Sequence, residues 1–176
     1  MEPETPMSQS RVIREVAHGS PEYWATVDLR SSILRQPLGL RYLPGELEDE
    51  KNARHIVCYC GNRLVGCLML SPREGGDIQM RQVAVVPELQ RQGIGRALVE
   101  YSEAWARNDG YRRMILHARE AAVAFYERLG YSKVGDRFVE VTIHHWAMEK
   151  WLTGLCHRAS PINAEPRQIG RGSCLD

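Results

Sequence analysis

The spacing of apolar and polar positions predicts a chain that alternates between strands and helices. Short apolar runs with strand-like alternation are separated by segments whose apolar residues lie three and four apart. In order, the pattern predicts a strand over 11–16, a helix from 20 to about 35, a short helix over 45–51, hairpin strands over 55–60 and 64–70, a strand over 80–86, a helix over 94–108, a strand over 114–117, a helix over 120–129, and a closing antiparallel pair over 131–134 and 138–148.

The first helix has a clear N-terminal signal. Residues 20–22 read Ser-Pro-Glu, which supplies a hydroxyl cap, a proline at the first helical position and an acid in the first turn. Trp24, Val27 and Leu34 are predicted to face inward from this helix. The acidic run over 46–50 is predicted to be a solvated face, in preference to an acidic binding surface.

The stretch over 78–110 carries the strongest candidate site. Its apolar run over 83–86 suits a strand buried on both faces, and Pro87 cannot continue a central ladder. Gly93 and Gly95 then stand at the start of an amphipathic helix. Glycines at a helix start let backbone N–H groups face a ligand, and the helix dipole favours an anion there. The stretch therefore predicts a phosphate cradle.

Composition narrows the class of protein. The chain has 176 residues and a formal charge of +1, which indicates one domain and argues against nucleic acid as a partner. The polar N-terminus lacks the apolar core of a signal peptide, and no stretch reaches the length of a spanning helix. We expect a flexible lead-in over 1–10, a folded domain over 11–151, and a tail over 152–176 that is disordered or packed on a partner.

The five cysteines predict a reduced, cytoplasmic protein with no metal site. Their number is odd, and a Cys-x-x-Cys pair is absent from the sequence. Cys58 and Cys60 share a face of one predicted strand, where we interpret them as small buried apolar residues. Cys67 is expected to pack against them from the next strand.

Two segments carry a resemblance to a known family. The segment VAVVPELQRQGIGRAL resembles the acyl-CoA-binding segment of the GNAT superfamily of acyltransferases, and AAVAFYERLGY, over 121–131, resembles that family's second cofactor segment. A dinucleotide-binding fingerprint wants a third glycine where Leu98 stands, and a P-loop wants Gly-Lys-Ser/Thr, which is absent. The resemblance implies an α+β fold with a mixed, mostly antiparallel, twisted central sheet and helices on both faces.

The resemblance also implies a donor, acetyl-CoA, and the residues that hold it. The strand backbone at Val83 and Val85 would hydrogen-bond the pantetheine arm like an added strand. The loop that would hold the pyrophosphate comprises Gln90, Arg91, Gln92, Gly93, Ile94, Gly95 and Arg96. Arg119 stands where relatives often have an asparagine that contacts the cofactor.

The family transfers the acyl group directly to an amine, so the resemblance implies no cysteine nucleophile. Tyr126 matches the tyrosine that protonates the departing thiolate, and its alternative role is that of a half-buried core residue. The candidate general bases are Glu140, His145 and His117, with a water chain to solvent as a further alternative. Glu140 and His145 are predicted on opposite faces of one strand.

A finer resemblance concerns the chain end of the domain. Glu140, Ile143, His145 and Met148 match a GNAT subgroup that ends in Glu-x-Gly-Ile-Pro-His-x-x-Met, whereas Thr142 and His144 depart from its glycine and proline. This subgroup is poorly defined by substrate.

We expect an N-acetyltransferase that acts on a small amine and forms a homodimer by family habit. The alternatives are a protein acetyltransferase and an acyl-CoA-binding module without turnover. Acceptor choice in the family implicates Arg30, Arg35, Tyr42 and His144 here, although the two arginines are expected first as solvated charges on the helix.

Overall fold

The structure, a computed structural model, describes residues 10–152. It contains seven strands, three α-helices and several short helical turns. The strands are β1 (Arg11–Val16), β2 (Arg54–Cys60), β3 (Arg63–Pro72), β4 (Asp77–Val85), β5 (Arg113–Arg119), β6 (Ser132–Glu140) and β7 (Ile143–Trp151). The helices are α1 (Pro21–Arg30), α2 (Ile94–Asn108) and α3 (Val123–Arg128).

The strands form one sheet in the order β1-β2-β3-β4-β5-β7-β6. Every neighbouring pair is antiparallel except β4 and β5, which run parallel because α2 crosses over between them. The predicted mixed, mostly antiparallel sheet with helices is therefore confirmed.

Two apolar layers cover the two faces of this sheet. The larger layer joins Leu68, Met80 and Leu116 to side chains of α2 and α3 such as Leu98 and Tyr126. The smaller layer groups Val16, Val57, Cys67 and Ala84 against the segment that follows α1. Because successive residues of a strand point to opposite faces, each strand residue can be assigned to the α1 side or to the α2–α3 side.

Helix α1 starts as its sequence predicts. The Ser20 hydroxyl accepts a hydrogen bond from the Tyr23 backbone N–H at 3.1 Å, and Pro21 takes the first helical position. The helical path continues beyond Arg30 as a π turn over Ser31–Arg35, so the predicted extent is close but the last part is not α-helix. Trp24 is 50% exposed, and the prediction that it faces inward is wrong.

The region before β4 differs from its prediction in two places. The expected helix over 45–51 is a short 3₁₀ turn at Glu48–Asn52. The strands on either side of the following connection are longer than predicted, because β3 continues to Pro72 and β4 already begins at Asp77.

The closing hairpin has a different turn from the one predicted. The expected strand over 138–148 is broken by a tight turn at Val141 and Thr142, whose φ angles are 49° and 66°. Two residues with positive φ make the turn type that joins twisted hairpin strands. Thr142 occupies a position where glycine is the usual choice, which is why the sequence did not signal a turn here.

The three described cysteines lie in two separate apolar layers. Cys58 and Cys60 share the larger layer, as their predicted common face requires, with Cys58 buried and Cys60 partly buried, but Cys67 lies in the smaller layer across the sheet. Cys67 therefore does not pack with the other two, because it has the opposite orientation in its strand. Burial raises the pKa of the Cys67 thiol to about 12, so it is protonated at neutral pH.

The predicted lead-in over 1–10 and tail over 152–176 lie, apart from their inner ends, outside the described residues. Among residues 10–152, no helix has the length and apolar content needed to cross a membrane. Within the same residues, no cluster of His, Cys, Asp and Glu side chains is suited to a metal ion.

Candidate active site

A gap between β4 and β5 organises the site. The two strands pair only from Asp77 with Arg113 to Met80 with Leu116, although both continue further. Beyond that point they diverge, and a bulge in β4 shifts its register against β3. Gln82 lies in this bulge with a φ of 52°, which is unusual for a residue other than glycine.

The open edge of β4 carries unpaired backbone groups. The Val86 N–H donates to the Val65 carbonyl of β3 at 3.0 Å. Because N–H directions alternate along a strand, the N–H groups of Val83 and Val85 point to the opposite side, into the gap. The Val85 carbonyl on that side accepts a hydrogen bond from Gln90 Nε2 at 3.1 Å.

The glycine turn lies at one end of the gap. Gly93 caps α2 in the left-handed region with φ 83°, and within the described part of the chain no side-chain hydrogen bond caps the start of the helix. A Cβ on Gly95 would lie 3.4 Å from Phe125 Cζ, so a glycine lets α2 approach α3 closely here. Free N–H groups at the start of a 15-residue helix fit an anion, as the sequence predicted.

The other loop residues differ in their availability. Arg96 donates from Nε to Glu100 at 2.7 Å and is already paired. Arg91 is exposed and has a φ of 62°, which turns the backbone toward the start of α2. Gln92 donates to the Glu88 carbonyl at 3.3 Å and closes the loop on itself. Arg91 is therefore the arginine whose side chain is open to an anion.

The gap opens into a pocket of about 250 Å³, which side chains reach from both faces of the sheet. Tyr126, Glu140, His145 and His117 all line it, so the structure brings every predicted catalytic candidate to one cavity. Its lining residues also include Leu34, Arg35, Gln79, Met80, Arg81, Gln82, Val83, Leu116, Ala118, Arg119, Ala122 and Val141.

Tyr126 reaches the pocket from the α2–α3 side. It belongs to the larger apolar layer and is only 7% exposed. Burial raises the pKa of its phenol well above the ordinary value of 10.0. Tyr126 therefore keeps its proton at neutral pH and can serve as a proton donor.

His117 reaches the pocket from the α1 side, because Leu116 and Ala118 on either side of it point into the α2–α3 layer. Its Nδ1 donates to the Glu140 carboxylate at 2.9 Å. This contact leaves Nε2 as the basic nitrogen, in the arrangement of a base oriented by a carboxylate.

His145 lies beside this pair. Its Nδ1–H donates to the Ile143 carbonyl at 2.9 Å, and its ring stacks on Phe138 with centroids 6.0 Å apart. The expected opposition of Glu140 and His145 on one strand is wrong. The turn at 141–142 puts them on different strands of a hairpin, and both side chains reach the pocket.

A buried polar network on the α1 side holds the β4 bulge beside the pocket. Arg30 is 1% exposed and donates to both oxygens of Glu50 at 2.9 Å. Arg30 also donates to Gln82 Oε1 at 2.9 Å, and Gln82 Nε2 donates to Glu50 at 3.2 Å. The Tyr42 hydroxyl donates to the same Gln82 oxygen at 2.9 Å. The network ties the bulge of β4 to α1.

The structure separates the predicted acceptor residues into those that line the pocket and those that do not. Arg35 lines the pocket, whereas Arg30, Tyr42 and His144 do not. The expectation that Arg30 is a solvated charge is wrong, because Arg30 is buried and forms an ion pair with Glu50. The acidic run over 46–50 was expected to be a solvated face, and this is wrong for Glu50, which is buried with Arg30. Sequence reasoning also missed Gln82, whose role depends on a bulge that no local pattern signals.

Comparisons with known proteins agree on the fold. The model of the acetyltransferase (GNAT) family matches residues 21–131. The uncharacterized N-acetyltransferase YjcF of Bacillus subtilis (strain 168) is 30% identical over 106 residues, which are 60% of this chain and 74% of that protein.

Solved structures give the same result at lower identity. An acyl-CoA N-acyltransferase from Pseudomonas aeruginosa has a TM-score of 0.68 at 21% identity, covering 80% of this chain and 99% of that one. An aminoglycoside 6′-N-acetyltransferase complexed with coenzyme A has a TM-score of 0.67 at 19% identity, covering 82% and 99%. The chain belongs to the acetyltransferase (GNAT) family.

Proposed function

We propose that this protein transfers an acetyl group from acetyl-CoA directly to the primary amine of a small molecule. The observation that carries the proposal is the position of Tyr126 and His117 on opposite sides of one gap in the sheet. A proton donor on one side and a base on the other suit a reaction in which a thiolate leaves as an amine attacks.

The donor would be held along the open edge of β4. Its pyrophosphate would lie at the start of α2, against the N–H groups that follow Gly93 and beside Arg91. Its extended arm would accept and donate hydrogen bonds at Val83 and Val85, completing the sheet where β5 has diverged. Gln90 would release or share the Val85 carbonyl as the arm enters.

The proton transfers would follow the two faces of the sheet. His117 Nε2 would take a proton from the attacking amine on the α1 side, while Glu140 holds the imidazole in the required tautomer. Tyr126 would give its proton to the thiolate on the α2–α3 side as the C–S bond breaks. His117 gains one proton and Tyr126 loses one, so proton exchange with water returns both residues to their starting states.

Backbone N–H groups at the bulge would stabilise the charge that develops on the thioester oxygen. Such a donor contributes about 3 kcal/mol to other enzymes of acyl transfer. In this chain the backbone at Gln82 and Val83 is the part of β4 nearest the pocket that is free of β5. The Arg30–Glu50 pair would keep it in place.

None of the described cysteines lines the pocket, which supports direct transfer over an acyl-enzyme route. The match to the Glu-x-x-Ile-x-His-x-x-Met subgroup and the homodimer stay predictions. The hairpin that carries Glu140 is the surface through which we would first look for a dimer.

The test is incubation with acetyl-CoA and a panel of primary amines, followed by release of free thiol. Saturable turnover on at least one small amine is expected. Saturable acetyl-CoA binding with no turnover on any amine would favour the binding-module alternative, and turnover on peptide amines alone would favour a protein acetyltransferase.

A further inference from the structure

Two arginines line the α1-side wall of the pocket without a carboxylate partner. Arg119 ends β5, and Arg81 lies at the β4 bulge. Among residues 10–152, neither forms an ion pair. Both therefore bring positive charge to the cavity that the fold itself does not neutralise.

Arg119 is held in place by one backbone contact. Its Nη2 donates to the Leu34 carbonyl at 2.9 Å, in the π turn that follows α1. This contact shows that the guanidinium lies on the α1 side of the sheet. Burial lowers the pKa of Arg119, so the cation is partly removed from water and an anion beside it would restore favourable interactions.

The neighbouring arginines are already neutralised. Arg30 is paired with Glu50, and Arg35 forms an ion pair with Glu46 at 3.3 Å while stacking over Tyr42. Arg35 borders the pocket, but its charge is already balanced by Glu46. The unpaired positive charge of this wall therefore belongs to Arg81 and Arg119.

The same wall also carries a base. His117 precedes Arg119 by two residues on β5, so both side chains leave the strand on the α1 side. Glu140 accepts a hydrogen bond from His117, and both side chains line the cavity. The pocket therefore brings a site suited to an amine next to a site suited to an anion. A guanidinium is planar and can bind both oxygens of a carboxylate at once.

We propose that the acceptor is an amine that also carries a carboxylate, with Arg119 and Arg81 binding the carboxylate while the amine faces His117 and Glu140. This inference rests on the proposed function and names the class of its acceptor. It predicts that small amino acids or amino-carboxylates are acetylated in preference to their neutral derivatives.

The phosphates of the donor are not expected at these two arginines. The glycine turn that fits a phosphate precedes α2, which packs on the α2–α3 side of the sheet. Arg119 contacts the turn after α1 on the other side. The two positive sites are separated by the sheet, so each can hold a different anion.

The experiment compares matched pairs of acceptors with the wild-type protein. Each amino acid is tested beside its amide and its methyl ester, and an amino-phosphonate of the same length is the second arm. The expected result is at least a tenfold higher kcat/KM for the carboxylate, with the phosphonate weaker. Equal use of the carboxylate and its amide would overturn the proposal while leaving the acetyltransferase function intact.

Variants locate the binding group. Arg119→Gln and Arg81→Gln are expected to raise KM for the carboxylate acceptor about tenfold or more, with kcat/KM for the amide and KM for acetyl-CoA unchanged. Arg119→Lys should recover part of the affinity. Arg128→Gln, an exposed arginine on α3, is the control and should change neither.

Three results would separate the possible failures. A rise in KM for acetyl-CoA on Arg119→Gln would place this arginine at the donor and overturn the proposal. A preference for the phosphonate would keep the anion site and overturn the carboxylate. Absence of turnover on every amine would be a failure of the proposed function instead.

Discussion

The guanidinium of Arg30 and the carboxylate of Glu50 meet through two hydrogen bonds of 2.9 Å beneath α1, where the residues are 1% and 4% exposed. Glu50 also accepts a hydrogen bond from the Tyr23 hydroxyl at 2.8 Å. Every oxygen of this carboxylate is thereby satisfied. The pair connects the short turn before β2 with α1 and, through Gln82, with the site.

Glu50→Ala is expected to destabilise the fold by about 3–5 kcal/mol, because it leaves the Arg30 cation buried without its counter-charge. Unfolding in urea would measure this change. Glu22→Ala, which removes the exposed partner of Arg14, is the matched control and should cost about 1 kcal/mol or less. Similar losses in the two variants would show that the Arg30–Glu50 pair is no stronger than a surface pair.

Acid should weaken the fold in two successive pH windows. Burial lowers the pKa of His55 below its ordinary value of 6.5, so the folded state favours the neutral imidazole and loses stability as the pH falls below 6.5. Burial opposes ionisation of Glu50, but the hydrogen bonds from Arg30 and Tyr23 prevail and hold the pKa of Glu50 below 4.5. Its contribution is complete above 4.5 and is lost as the pH falls through the lower, folded value.

The free energy of unfolding between pH 7 and 3 would resolve these windows. His55→Gln should flatten the upper one and Glu50→Gln the lower one. Identical slopes in wild type and both variants would contradict this assignment, because other groups would then control the acid response.

Tyr126→Phe is expected to lower kcat by about 10²–10⁴, the usual contribution of a general acid, and to leave KM for acetyl-CoA nearly unchanged. Steady-state thiol release would measure both. Tyr131→Phe is the control, since Tyr131 is a buried neighbour whose ring meets that of Tyr126 at 5.7 Å but does not line the pocket. Full activity of Tyr126→Phe would leave this tyrosine a core residue only.

Gly93→Asp should weaken acetyl-CoA binding about tenfold or more, a change of about 1.4 kcal/mol, because a negative side chain enters the proposed phosphate position. Gly110→Asp is a matched control at the other end of α2, with a φ of 90° against 83° at Gly93 and open space around it. Each variant should lose about 1–2 kcal/mol of stability from strain in the left-handed region. Equal affinities measured by calorimetry would place the phosphate elsewhere.

His117→Gln is expected to reduce kcat about 10²–10⁴-fold in steady-state thiol release, the usual contribution of a general base. Glu140→Gln should cause a smaller loss, because the carboxylate acts through His117. His144→Gln is the control, since His144 is exposed and does not line the pocket. Full activity of His117→Gln would point to His145 or to a water chain as the base.

The element order and the glycine turn could be predicted from the sequence because local features determine them. Ser20 caps α1, and the helical spacing after Gly93 defines α2. Tyr126 was predicted as a site residue because its segment matched a family motif, and the structure places it in the pocket.

The pairs that build the site could not be predicted in the same way, because they join residues far apart in the chain. Arg30 meets Glu50, and His117 meets Glu140, across separate elements. The second pair further depends on the turn at 141–142, which two β-branched residues form without a turn signal in the sequence. A charge run and a lone histidine look the same in sequence whether they are solvated or paired.

The short pairing between β4 and β5 is the narrowest connection between two groups of strands in the sheet. Among residues 10–152, only the strand pairing of 77–80 with 113–116 joins the sheet's first four strands to its last three, while every other neighbouring pair of strands is paired over a longer stretch. The pocket lies where this pairing ends. A ligand that bridges the gap therefore connects the two groups of strands. Its binding should slow hydrogen exchange in β4 and β5 far more than in the hairpin of β2 and β3.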